Sequence, residues 1–79
     1  MDFKSISLTD IKEGQRGTIA SILGGRMAVK RLADLGLTPG TEIIVLRKTQ
    51  LYGPVEIEVR GSNIALGRGI ALKIQIEPK

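Results

Sequence analysis

The chain has no histidine, no cysteine and no tryptophan, and its aromatic residues are Phe3 and Tyr52 alone. Each absence removes a class of chemistry. Without cysteine there is no disulfide staple and no thiolate metal site, which fits a reducing compartment. Without histidine, a Ser or Thr nucleophile lacks its usual base, and imidazole metal coordination is unavailable. The acids are scattered. Asp34 and Glu42 stand singly, and Glu56 and Glu58 share a strand face with Lys or Arg nearby, so neither paired-carboxylate catalysis nor an oxygen-ligand cation site is expected. No segment is long enough to span a bilayer, and residues 1–5 lack the apolar run of a signal peptide. Glycine-rich stretches do not restore a phosphate site. Gly24-Gly25-Arg26 lacks the Lys and Ser/Thr of a P-loop, and Gly67-Arg68-Gly69 is half a dinucleotide fingerprint outside any βαβ unit, so both are read as turns. These exclusions predict a soluble cytoplasmic protein with no catalytic residues, no bound metal and no cofactor, which acts through a surface.

What remains is small and mildly basic. Seventy-nine residues, 42% of them hydrophobic, make a single domain over 1–79 whose core is barely sufficient. Twelve Lys and Arg oppose eight Asp and Glu, a net charge of +4. Such a balance is compatible with nucleic acid, an anionic membrane surface, an acidic protein partner, or solubility alone. The basic residues are spread out, with short pairs at Lys30-Arg31 and Arg47-Lys48 and no basic tail.

Only one segment has helical spacing. Within residues 26–35, Ala28, Leu32 and Leu35 fall at i, i+4 and i+7, an apolar stripe, with Lys30 and Asp34 on the opposite face. Gly24-Gly25 ends the strand before it. Gly36 stands where a left-handed cap belongs, and Leu37 then folds back onto Leu32 in a Schellman arrangement. Thr38-Pro39-Gly40-Thr41 follows as a type II turn, with Pro39 presetting φ and Gly40 supplying a positive φ. Leu32, Leu35, Gly36, Leu37, Pro39 and Gly40 therefore form a structural corner. The stretch from Leu8 through Gly14 to Ile19 echoes it, which predicts two equivalent corners.

Strands surround the helix at residues 16–23, 41–49, 55–60 and 72–77, with a short one at 62–66. Ile43 to Leu46 is apolar on both faces, as for a strand that faces the core on one side and underlies the helix on the other. Lys73 is placed to meet Glu56 or Glu58 across a strand pair. The expected fold is mainly β, a small SH3-like barrel of about five strands with one short α-helix inserted after the first strand.

These residues carry a resemblance. The segments from Leu8 to Gly17, Gly24-Gly25, the corner from Arg31 to Thr41, and Val55-Glu56-Ile57-Glu58-Val59-Arg60-Gly61 resemble FeoA domains, small SH3-like cytosolic proteins of ferrous iron uptake, in the family's order. The chain departs from the family pattern after the fourth strand. There a charged, helix-forming run is replaced by Ala65-Leu66-Gly67-Arg68-Gly69-Ile70-Ala71, in which two glycines weaken a helix. The resemblance implies a partner, the FeoB membrane transporter with its cytosolic GTP-binding domain, and a role as a non-enzymatic accessory that binds and regulates it. It does not imply that this domain holds the metal.

Two surfaces are candidates for that contact. Met27, next to Lys30 and Asp34 on the outward side of the helix, either makes an adaptable contact, with Lys30 and Arg31 as further candidates for it, or covers apolar surface at the barrel rim. Leu51 and Tyr52 sit at a hairpin tip, where an apolar pair needs a cover or lies along the barrel. Two other readings stay open: a small basic nucleic-acid-binding barrel, which the scarcity of aromatics disfavours, and a stand-alone metal sensor related to the C-terminal domains of metal-dependent repressors.

Overall fold

A computed structural model describes residues 5–49 and 53–79. The strand β1 (Ile6–Ser7) runs into a 3-10 turn over Leu8–Asp10, followed by β2 (Arg16–Ile22), the helix α1 (Arg26–Asp34), β3 (Glu42–Lys48), β4 (Val55–Val59), β5 (Ser62–Leu66), the one-turn helix α2 (Arg68–Ala71) and β6 (Ile74–Pro78). Among the described residues all six strands join one antiparallel sheet in the order β1-β6-β2-β3-β4-β5. The mainly β, SH3-like expectation holds, with the helix after the first long strand. The count of about five rises to six because two residues of β1 pair with Ile76 and Gln75 of β6.

Alternation builds the core. Val55, Ile57 and Val59 of β4 are buried between half-exposed Glu56 and Glu58, and Ile74 and Ile76 do the same on β6. They join Ile19, Ile43, Val45, Leu66, Leu8, Ile11, Leu32, Leu37 and Ala71 in a single cluster. Register shifts between Ile19 and Ser21, and between Val45 and Arg47, bend the sheet around this core. Arg60 and Gly61 close the β4–β5 hairpin with φ of 53° and 81°, the pair of positive angles that a two-residue I′ turn needs.

The corner after α1 is set by hydrogen bonds. Leu37 N–H donates to the Leu32 carbonyl (2.8 Å) and Gly36 N–H to that of Ala33 (2.9 Å), the paired bonds of a Schellman motif, with Gly36 at φ 87°. Thr41 N–H then donates to Thr38 O (3.0 Å), closing a turn with Gly40 at φ 91°. The echo at Gly14 is real in space. Gln15 N–H closes a turn onto Lys12 O (3.0 Å), and each turn clamps the strand that leaves the other. Gly14 N–H donates to Val45 O (2.6 Å) and Val45 N–H to Gln15 O (3.0 Å). On the other side, Gly40 N–H donates to Ile19 O (2.7 Å) and Ile19 N–H to Thr41 O (2.9 Å).

Four details differ from the sequence expectations. Leu35 leaves the apolar stripe and is 49% exposed, because it is the cap residue and the reversal at Gly36 sends Leu37 into the core in its place. Leu46, expected under the helix, is exposed, since α1 buries only Leu32 and β3 turns Ile43 and Val45 inward in its place. Gly67-Arg68-Gly69 is not a plain turn but the start of α2. The Gly67 carbonyl accepts from Ile70 N–H and Ala71 N–H (3.1 and 2.9 Å), and burial of Ala71 offsets the ~1 kcal/mol helix penalty of Gly69. Lys73 does not face Glu56 or Glu58, because β6 pairs with β1 and β2, whereas on β4 Glu56 lies opposite Arg47 and Ala65.

The corner's dependence on one left-handed residue can be measured. Gly36→Val is expected to lower stability by about 2 kcal/mol, and Gly36→Asn by much less, because Asn tolerates the left-handed region. For a domain of this size that difference is read as a fall in Tm of roughly 10 °C for the valine variant. Equal melting of the two variants would contradict the role assigned to Gly36.

Candidate functional site

α1 is held by little. Leu32 is its single buried residue, Ala28 is half-buried, and Met27 on the outer side is 74% exposed. Met27 and Arg31 are one turn apart on one strip of the helix, and Lys30 lies beyond them, also exposed. The structure thus brings Met27, Lys30 and Arg31 to one outward surface of α1. Leu51 and Tyr52 lie outside the described residues.

Arg31 borders an apolar cleft of about 230 Å³ whose other lining residues are Ala28 and Leu32 of α1, Ile70 of α2, and Lys73. The chain builds this cleft from segments far apart in sequence. Leu23 N–H, just after β2, donates to the Lys73 carbonyl just before β6 (2.7 Å), which seats the entry to α1 beside the exit from α2. Ala71 takes the inward position of α2, so its neighbours Ile70 and Leu72 face outward, 45% and 47% exposed. Leu23, beside Gly24, is also exposed. Ile70, Leu72, Leu23 and Lys73 are not among the residues that the sequence pattern marks as a site. Their signal is present, an apolar pair flanking one alanine, but reading Gly67-Arg68-Gly69 as a turn hides it.

A second, wider depression of about 510 Å³ lies at the corner, lined by Thr38, Pro39, Gly40, Thr41, Glu42 and Arg60. Its polar groups are largely committed to the corner itself. The Thr38 and Thr41 hydroxyls hydrogen-bond each other (3.0 Å), the Gly40 amide and the Thr41 carbonyl are used in the clamp on Ile19, and the Thr41 amide closes the turn onto Thr38. Glu42 is paired with Lys79. The Lys79 hydrogen bond, and then its charge, hold the Glu42 carboxyl below the usual carboxylate range. The contribution of that pair is therefore present above the ordinary Glu pKa and fades as pH falls through the lowered one. Among the described residues no three His, Cys, Asp or Glu side chains converge on a cation position, and no helix is long and apolar enough to cross a membrane. The apolar cleft, with unsatisfied hydrophobic surface, is the stronger candidate site.

The FeoA domain model matches residues 6–78. The chain belongs to the FeoA domain family. A Methanocaldococcus jannaschii protein named for Fe(2+) transport, as transport protein A, is 42% identical over 66 residues, covering 84% of this chain and 78% of that one. A crystal structure of an iron uptake regulatory protein, FeoA, superposes with a TM-score of 0.86 at 34% identity, over 96% of this chain and 99% of that chain. The solution structure of FeoA from Chlorobium tepidum gives 0.83 at 30% identity, over 92% and 70% of the two chains. The fold also recurs in a manganese-dependent transcriptional repressor, with a TM-score of 0.90 at 19% identity over 44% of that chain. That likeness concerns the fold alone.

The exposed candidate residues of this FeoA domain separate from its buried residues in a stability measurement. Leu32→Ala is expected to cost about 2–4 kcal/mol. Met27→Ser and Ile70→Ser, at exposed positions, are expected to cost no more than about 1 kcal/mol each. Thermal unfolding checks this, and comparable losses in all three variants would place Met27 and Ile70 in the core.

Proposed function

We propose that this FeoA-domain protein is a non-enzymatic accessory of ferrous iron uptake that binds the cytosolic part of a FeoB-type membrane transporter and regulates it. Family membership across nearly the whole chain and a relative named for Fe(2+) transport support the iron-uptake context. The observation that carries the binding role is the exposed apolar cleft beside α1, which is open on a domain too small to leave hydrophobic surface uncovered without cost. In this reading Fe(II) is the transporter's cargo, and the protein acts by contact. A chain with no His and no Cys offers Fe(II) neither imidazole nor thiolate, which agrees with that division of labour.

The experiment is a calorimetric titration of this protein into the soluble GTP-binding domain of its own transporter, with and without nucleotide. Binding that changes with the nucleotide is expected for a regulator of the GTPase cycle. Absence of heat in both states would remove that domain as the partner.

A further inference from the structure

We infer that the α1–α2 cleft receives a bulky apolar side chain from an acidic amphipathic segment of a partner protein, with Arg31 and Lys73 facing carboxylates on either side of it. The inference rests on the reading of this protein as a partner-binding accessory and names the chemistry of the segment it binds.

Charge partition carries it. The two segments that build the cleft, residues 23–35 and 67–73, hold Arg26, Lys30, Arg31, Arg68 and Lys73, against Asp34 as their one acid. Their net charge is 5 − 1 = +4, equal to the net charge of the whole chain, so the remaining 7 basic and 7 acidic residues balance. Asp10, on the 3-10 turn against α2, belongs to that balanced remainder, and counting it with the cleft still leaves a clear positive excess. The chain is thus not evenly basic. Its excess falls in the two segments that build one apolar recess, with Arg31 and Lys73 in the lining itself.

That combination selects among partners. The floor is Ala28, Leu32 and Ile70, aliphatic throughout, so it offers no ring on which a nucleobase would stack. A bilayer is met by a protruding apolar face, whereas this surface is recessed by about 230 Å³. A second copy docking through the same face would set one basic rim against another in a two-fold contact. An acidic segment with apolar residues at i, i+3, i+4 and i+7 satisfies both features at once, its hydrophobic side filling the recess and its carboxylates meeting the rim. Met27, an unbranched and polarizable side chain one turn before Arg31, extends the apolar edge and adapts to what lies on it.

The test uses the full chain, three probes and two exposed-site variants, Arg31→Glu and Ile70→Ser, whose folding is checked by thermal unfolding. The probes are a synthetic amphipathic peptide with Leu at i, i+3, i+4 and i+7 and Glu elsewhere, the same peptide with Lys replacing Glu, and vesicles of phosphatidylglycerol and phosphatidylcholine. The acidic peptide is expected to bind, with amide resonance shifts centred on Ala28, Arg31, Leu32, Ile70 and Lys73. Each variant is expected to weaken it by about tenfold or more, and added salt to weaken it as well. Equal binding of both peptides, or binding of neither, overturns the inference. So does vesicle binding that the variants abolish while the acidic peptide is ignored, which would make the cleft a lipid-facing surface. The same variants titrated into the transporter's cytosolic domain separate the two readings. If the wild-type chain binds that domain and the variants bind it equally well, the partner stands and the cleft inference falls. If the acidic peptide occupies the cleft and the domain does not bind, the cleft stands and the transporter assignment falls.

Discussion

The hydrogen bond from Leu37 N–H to the Leu32 carbonyl governs more of this molecule than any other contact. It closes the end of α1, and with Gly36 in the left-handed region it reverses the chain so that Leu32 and Leu37 enter one core from opposite sides of the cap. The turn that follows is then positioned to clamp Ile19, and the matching turn at Gly14 clamps Val45. These reciprocal clamps set the register of β2 against β3, the central pair of the sheet, with Gly17 opposite Ile43. Since a slip of one residue would turn every inward side chain outward, the order of the core follows from this corner.

The same corner explains why a surface is left over. A helix anchored by its cap and by Leu32 does not need its outer strip for stability, and Met27 is accordingly exposed. α2 is shorter still and commits only Ala71 to the core. Between two weakly anchored helices the sheet leaves a recess that nothing within the described residues fills. Burying a side chain of the size of Ile70 or Met27 is worth about 1.5–3 kcal/mol, so covering several of them is a substantial driving force for association. In so small a domain that energy is withheld from folding and remains for binding.

The barrel itself does not dictate that use. A fold nearly superposable on this one forms under half of a manganese-dependent repressor chain, and the likeness between them is one of backbone path. What distinguishes this chain is what it places on the barrel: an aliphatic recess with Arg31 and Lys73 in its lining, built by the two segments that carry the chain's excess positive charge. A function is argued from such a surface rather than from the architecture.

Local chemistry makes the corner legible in the order of residues alone. Gly36, Pro39 and Gly40 each demand a backbone angle that few arrangements satisfy, and the alternation of Val55, Ile57 and Val59 assigns inward and outward faces without reference to the rest of the chain. The absence of His and Cys likewise narrows the available chemistry from composition. Spacing places Met27, Lys30 and Arg31 on one side of a helix. The other half of the cleft has no such signal. Ile70 and Lys73 are about forty residues from α1 in the chain, and their nearness to Ala28 and Leu32 depends on β6 pairing with β2. Gly67 and Gly69 speak locally for a turn, and only the burial of Ala71 against the core makes a helix there and turns Ile70 outward. The sequence determined by itself whatever rests on one residue's backbone or on a short period. The tertiary structure decided the recess and the meeting of Arg31 with Lys73 in its lining, because both depend on segments that meet only when the sheet closes its register.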